Sequence, residues 1–122
     1  MKYFQPDIFP FNFGVGLLSE LPEIKKEFTD EKGDELDPHF PEALMGMVIN
    51  ALRKSKNGKS YSYTLILFRE KPEVDDITHE SFHAAQDLLE SINIFVQAYQ
   101  ANETFAYTAG YIAKCISKTF NE

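Results

Sequence analysis

Residues 77–85 read Ile-Thr-His-Glu-Ser-Phe-His-Ala-Ala and contain the pattern H-E-x-x-H. If this segment is helical, His79 and His83 lie about one turn apart on one face, where both imidazoles can bind one metal ion. Glu80 flanks that pair and can act as a general base on a water activated by the metal. The pattern therefore predicts a zinc site of the hydrolytic kind.

The predicted helix has two distinct stripes. Its core-facing residues are expected to be Phe82, Ala85, Leu89 and Ile92, which follow helical spacing. His79 and His83 belong to another stripe with Asp87 and Glu90, as a ligand pair facing a cleft should. Asp75 or Asp76 can cap the N-terminus of the helix. Asp87 can orient a ligand histidine by accepting a hydrogen bond from its ring, the alternative being an exposed helical aspartate.

Two histidines are too few for a zinc site, so a third ligand must come from elsewhere in the chain. The best candidate is Glu103, at the start of a second predicted helix that runs from Ala101 to about Phe120. The predicted core stripe of that helix is Ala106, Ala109, Ala113, Ile116 and Phe120. Glu103 lies three residues before Ala106, on the continuation of this line, and small residues there let the two helices approach closely.

Tyr107 lies one turn after Glu103 and is predicted to point the same way. Its hydroxyl can donate to the oxyanion that develops during amide hydrolysis; packing against neighbouring residues is the alternative. Tyr111 is a weaker candidate for the same role. Cys115 lies off the line of Glu103 and is expected in the core.

The remaining chain predicts a small α+β domain. Residues 11–18 alternate in the manner of a half-buried strand, and 19–28 carry helix-start residues. Residues 43–69 predict a hairpin that turns at Asn57-Gly58 and pairs Leu52 with Tyr63 and Val48 with Leu67; a helix over 43–52 is the alternative. The expected architecture is a short antiparallel sheet packed against the motif helix and a C-terminal ligand helix.

Two loop segments carry further polar residues. Residues 30–37 are a run of charge that includes Gly33, which is typical of a solvated loop. Asp30, Asp34 and Asp37 do not have the spacing of a calcium loop. His39 lies between two prolines, where it is expected on the surface or packed in a loop.

Composition limits the classes of function. The chain has 122 residues, which fits a single domain over 1–122. A net charge of -7 argues against nucleic acid as a partner, because phosphate binding needs clustered Lys and Arg. No apolar run is long enough for a membrane span, and the first residues do not resemble a signal peptide. With a single cysteine, the expected location is the cytoplasm. Nothing in the sequence indicates the oligomeric state.

The two helices together resemble a known family. His79-Glu80-Ser81-Phe82-His83, followed by Asn102-Glu103-Thr104-Phe105-Ala106, is similar to the gluzincin arrangement of zinc metallopeptidases. The order of strands and motifs also resembles small zincin-like proteins of phages and mobile elements. The resemblance covers residues 77–112.

What the resemblance implies is a set of roles. His79, His83 and Glu103 would be zinc ligands, Glu80 the general base and acid, and a peptide or protein the substrate, in a host cytoplasm if the chain is phage-encoded. Large gluzincins add a His or Tyr from a C-terminal domain, a role that here either falls to Tyr107 or is vacant.

Two other hypotheses stay open. In the first, zinc is a structural staple of a non-catalytic binding protein, with a fourth ligand such as His39 closing the site. In the second, His79 and His83 are ordinary helix residues of an interaction protein. Metal analysis of the purified protein separates the second hypothesis from the others.

Overall fold

The fold comes from a computed structural model, which describes residues 1–6, 11–92 and 103–121. Within these residues, five strands and three α-helices follow one another along the chain. They are β1 (Lys2–Phe4), β2 (Asn12–Leu17), α1 (Leu21–Glu27), β3 (Phe28–Thr29), β4 (Gly46–Lys54), β5 (Ser60–Phe68), α2 (Val74–Ser91) and α3 (Glu103–Asn121). A short 3₁₀ turn, Leu18–Glu20, leads into α1.

The five strands form one mixed sheet in the order β1-β2-β5-β4-β3. The α+β class is confirmed, but the prediction of an antiparallel sheet is wrong in one respect. β2 and β5 run parallel, because the chain between them passes through α1, β3 and β4 before β5 enters the sheet beside β2. The other three strand pairs are antiparallel.

β5 lies at the centre of the sheet. All six residues from 63 to 68 are buried, as expected for a strand with packed layers on both of its faces. Ile66 and Phe68 face the core that α2 and α3 cover, whereas Leu65 and Leu67 face the core beneath α1. α2 therefore packs on a strand that is buried on both of its faces.

The predicted hairpin is confirmed as β4 and β5, with a register that differs by one residue. Tyr63 pairs with Ala51 rather than with Leu52, and every other pair shifts with it. The reason is the length of the turn. A two-residue turn was expected, but Ser55 N–H donates to the Lys59 carbonyl at 3.2 Å across three residues. Gly58 has a φ of 81°, the left-handed residue that closes such a loop.

The core-facing stripe of α2 is rotated from the predicted one. Its buried apolar residues are Ala84, Ala85, Leu88 and Leu89. Phe82 was predicted in this stripe but is 47% exposed. The ring of Phe82 packs on Phe105 of α3, with the ring centroids 5.0 Å apart. Ile92 follows the helix as its C-cap residue.

The buried face of α3 also differs from the predicted one. Thr108, Ile112, Cys115 and Ile116 are buried, whereas Ala106 is exposed. Thr108 can lie in the core because its hydroxyl donates to the Thr104 carbonyl at 2.7 Å. The prediction for Cys115 is confirmed. The rotation moves the line through Glu103 away from the core.

Candidate metal centre

α2 presents His79 and His83 on one exposed face, as the sequence predicted. Their Nε2 atoms lie 3.1 Å apart. Zinc–imidazole bonds are about 2.0–2.1 Å long, so two nitrogens at this separation can both reach one ion. The pair therefore needs no rearrangement of the helix to bind a metal.

Glu80 completes this group from the buried side of the same turn. It is 4% exposed, and its Oε1 lies 3.9 Å from the Nε2 atom of His79. Within the described residues, His79, Glu80 and His83 are the only set of three His, Cys, Asp or Glu whose ligand atoms all lie within 4.8 Å of one another. The sequence-predicted core of the site is thus brought together and can hold a metal ion.

The second oxygen of the Glu80 carboxylate is buried without a hydrogen-bond partner. Burial raises the pKa of Glu80 above its ordinary value. The neighbouring His79 and His83 lower this pKa by a smaller amount, and the charge of Asp76 raises it further. An ionised carboxylate in this position is costly unless a cation or a donor pairs with it. This unpaired oxygen is the feature of the structure that fits a metal or a polarised water best.

Gly46, the first residue of β4, makes room for Glu80. A Cβ at this position would lie 2.7 Å from Cγ and 3.0 Å from the carboxyl carbon of Glu80. The strand backbone therefore lies so close to the Glu80 side chain at this point that a Cβ at position 46 would displace it. Gly46 has no role among the sequence predictions, although a glycine inside a strand signals such close approaches.

His79, Glu80 and His83 together are the candidate metal-binding group, called the metal-binding group from here on. Two clefts meet at this group. The first cleft, about 310 Å³, lies between residues 43–46 and the first two turns of α2. The second cleft, about 370 Å³, lies between residues 44–48 and the side of α2 that carries His83. His79 and Glu80 line both clefts. The group is thus open to a ligand from either side.

β4 is also an open edge of the sheet at this end. β3 pairs with β4 only at Leu52 and Arg53, so the outer edge of Gly46–Ala51 has no strand beside it in the described part of the chain. The backbone groups of such an edge can pair with an extended peptide.

Arg69, which has no role among the sequence predictions, holds the segment that leads into β4. Its side chain donates to the carbonyls of Pro41 (2.8 Å) and Leu44 (3.2 Å), and its guanidinium lies 4.8 Å from the ring centroid of Phe40. Its backbone N–H donates to the Met45 carbonyl at 2.8 Å. These contacts fix one wall of the first cleft.

Glu103 and Tyr107 lie outside the group. Both are exposed, and Tyr107 is 73% exposed. Glu103 lies nine residues before buried Ile112, about two and a half turns, and therefore on the opposite side of α3. The start of α3 is nevertheless close to the site, since Phe105 packs on Phe82, whose ring lies 6.1 Å from that of His83. The roles of Glu103 and Tyr107 stay predictions.

Asp87 binds the sheet. Its Oδ1 accepts from the Asn50 side chain at 3.1 Å and its Oδ2 from the Thr64 hydroxyl at 3.0 Å. Asp87 thereby ties α2 to β4 and β5 one turn after His83, and its contact with a ligand histidine stays a prediction. His39 is exposed on its loop and is not in the metal-binding group.

No helix in the described part of the chain has both the length and the apolar composition that crossing a membrane requires. No family model matches the chain, and neither a curated protein nor a solved structure is significantly similar to it. The resemblance to gluzincins therefore depends on the residues of the two motifs.

Proposed function

We propose that the protein is a zinc-dependent metallopeptidase in which His79 and His83 bind the metal and Glu80 is the general base. The proposal depends above all on the buried Glu80 carboxylate, which has an unpaired oxygen beside two imidazole nitrogens 3.1 Å apart. A carboxylate that served only to pair with solvent would not be buried at this position. Its surroundings suit a group that exchanges a proton with a bound water.

Zinc, when bound, lowers the pKa of a coordinated water and polarises the carbonyl under attack. Glu80 takes the proton from the attacking water as the new C–O bond forms. It then gives that proton to the leaving nitrogen as the C–N bond breaks, so that an acid and an amine result and Glu80 is restored. The raised pKa of Glu80 brings this carboxyl closer to the neutral range in which both transfers are efficient.

The substrate is proposed to be an extended peptide that lies along the outer edge of β4. Gly46–Val48 line the second cleft together with His83, so a strand added at this edge would pass directly beside the metal ligands. Main-chain hydrogen bonds would hold it without regard to its side chains. The absence of a side chain at Gly46 keeps the approach to Glu80 clear.

A third protein ligand is proposed to be Glu103. The packing of Phe105 on Phe82 keeps the first turn of α3 next to the turn of α2 that carries His83. Because Glu103 lies on the side of α3 opposite Ile112, the first turn of α3 would have to rotate or unwind to bring this carboxylate to the site. Tyr107, one turn further, is proposed as the donor to the oxyanion.

Metal titration tests this assignment. Purified protein without an affinity tag is expected to bind one equivalent of zinc, as measured by competition with a chromogenic chelator. His83→Ala should lower the affinity by more than about 100-fold, since losing a residue that only hydrogen-bonds to a metal ligand already costs about 10–100-fold. At a free zinc concentration of about 100 Kd, the wild-type protein should gain about 2.7 kcal/mol of stability.

The same titration locates the third ligand. Glu103→Ala should weaken zinc binding by at least about tenfold, an effect of the size expected for a ligating group or its close support. Glu90→Ala removes another exposed carboxylate, from α2, and serves as the matched control. If the two variants bind zinc equally well, Glu103 is not a ligand and the third position belongs to another group.

One observation favours a second candidate function, a zinc-stapled binding protein without turnover. Glu80 lies close enough to both histidines to act as a ligand itself. A carboxylate that ligates the metal leaves no general base in the group, and the ion would then only stabilise the fold. In that case, removal of the Glu80 charge would weaken zinc binding.

A further inference from the structure

The first cleft has a wall of apolar side chains on one side and carboxylates on the other. Ala43, Leu44 and Met45 form the apolar wall, and Asp75 and Asp76 stand at the start of α2 opposite them. Leu44 is 43% exposed, which leaves its side chain available to a ligand. The cleft opens directly beside His79 and Glu80.

The two aspartates differ in what they bind. Asp76 Oδ2 accepts from the backbone N–H of Glu73 at 2.9 Å and so completes the N-terminal cap of α2. The side chain of Asp75 forms no hydrogen bond or ion pair with any other residue of the described ranges and is exposed. Asp75 also precedes His79 by one helical turn, so both side chains lie on the same face of α2.

These acids are not balanced by a positive side chain of the cleft itself, since neither Lys nor Arg is among the described residues that line it. Arg69 lies nearby, but its guanidinium is bound to the carbonyls of Pro41 and Leu44. The buried, unpaired oxygen of Glu80 adds a further acceptor at the inner end of the cleft. The cleft is thus a negative, partly apolar site next to the metal-binding group.

We propose that the first cleft binds the side chain of a lysine or arginine in the substrate peptide, with Asp75 as the residue that determines this specificity. The inference rests on the proposed function, since it places the basic residue beside the bond to be cleaved. A long aliphatic stem would pack on Leu44 and Met45 while its charged head reaches Asp75. A volume of about 310 Å³ is sufficient for one such side chain.

Binding measured separately from hydrolysis tests the inference. Three acetylated and amidated hexapeptides, identical except for lysine, norleucine or glutamate at one position, are titrated into zinc-loaded and metal-free protein. Shifts of the Leu44 and Met45 methyl NMR signals report binding in the first cleft. The lysine peptide should bind about fivefold more tightly than the norleucine peptide, as about 1 kcal/mol for a partly exposed charge pair implies. The glutamate peptide should bind most weakly.

Two variants and one further peptide define the outcome. Asp75→Asn should reduce the preference for lysine over norleucine to less than about twofold, while Glu90→Gln, which removes the same charge from the far end of α2, should leave it unchanged. Equal affinities for lysine and norleucine, equal effects of the two variants, or no binding at all would overturn the inference. The further peptide has a free amino terminus and norleucine at the varied position. If it binds as tightly as the lysine peptide, the inference is also overturned.

These results are independent of turnover. If the lysine preference and its loss in Asp75→Asn are found but no peptide is cleaved, the cleft is assigned correctly and the metallopeptidase proposal fails. If peptides are cleaved with no preference for lysine or arginine at any position, the metallopeptidase proposal stands and the specificity inference is wrong.

Discussion

Glu80→Gln is expected to lower kcat for peptide hydrolysis by about 10²–10⁴-fold while zinc binding changes little. Glutamine keeps the shape of the side chain and its packing against Gly46, but it cannot take a proton from water. The measurements are hydrolysis of a peptide mixture, followed by mass spectrometry, and zinc affinity by chelator competition. Both are made on the same preparation.

His79 and His83 supply the comparison for this variant. His83→Ala should lose zinc and activity together, whereas Glu80→Gln should lose only activity. Retained hydrolysis in Glu80→Gln would refute the role of Glu80 as general base. A loss of zinc affinity comparable to that of His83→Ala would instead favour the zinc-stapled binding protein, in which Glu80 is a ligand.

Glu80→Gln is also expected to change the stability of the metal-free protein. Because burial raises the pKa of Glu80 above its ordinary value of 4.5, the folded state binds this proton more tightly than the unfolded state. The resulting stabilisation is complete below the ordinary pKa and is lost as the pH rises through the raised one. In EDTA, Glu80→Gln should therefore be more stable than wild type at neutral pH, and the difference in the free energy of unfolding should shrink towards about pH 4.

Gly46→Ala is expected to lower kcat by about 100-fold, the order of effect that a displacement of about 1 Å causes at a reacting group. The added Cβ would lie 2.7 Å from Cγ of Glu80 and 3.0 Å from Cδ1 of Phe68. Phe68 is fully buried and has little freedom to move, so Glu80 must shift. Overpacking of this kind also costs about 1–3 kcal/mol in stability, measurable by urea unfolding.

Gly110→Ala is the matched control, because a Cβ at that position of α3 meets no atom within 4 Å. It should leave kcat unchanged and raise stability by about 0.5–1 kcal/mol, the usual gain when alanine replaces glycine inside a helix. The double variant Gly46→Ala/Glu80→Gln separates an effect on the position of Glu80 from a general loss of structure. If Gly46 acts through Glu80, then Gly46→Ala should have little further effect on the rate in a Glu80→Gln background. Additive losses would show that Gly46 acts in another way.

The part of the candidate site that lies on one helix could be predicted from the sequence. The interval between His79 and His83 sets their relation as soon as the segment is helical, and their Nε2 atoms lie 3.1 Å apart as that relation implies. The hairpin could also be predicted, because its signals are local to the turn. Its register could not, since one extra loop residue shifts every pair of β4 and β5.

Other features depend on segments that are distant in the chain. The parallel pairing of β2 with β5 follows from the path of the intervening residues, and no local pattern in either strand specifies it. The burial of Thr108 in place of Ala106 on α3 depends on a backbone carbonyl that satisfies its hydroxyl. For this reason, the line of alanines was a poor guide to where Glu103 points.

By itself, the sequence determined that one helix would carry two imidazoles placed so that they could share one metal ion, with a carboxylate between them, because helical spacing alone decides which side chains share a face. Only the tertiary structure decided that Glu80 is buried against Gly46 and that Arg69 holds the wall of a cleft beside it. Those contacts join residues more than twenty positions apart. Their geometry depends on the register of β4 and on the packing of α2 over the sheet, which no single segment encodes.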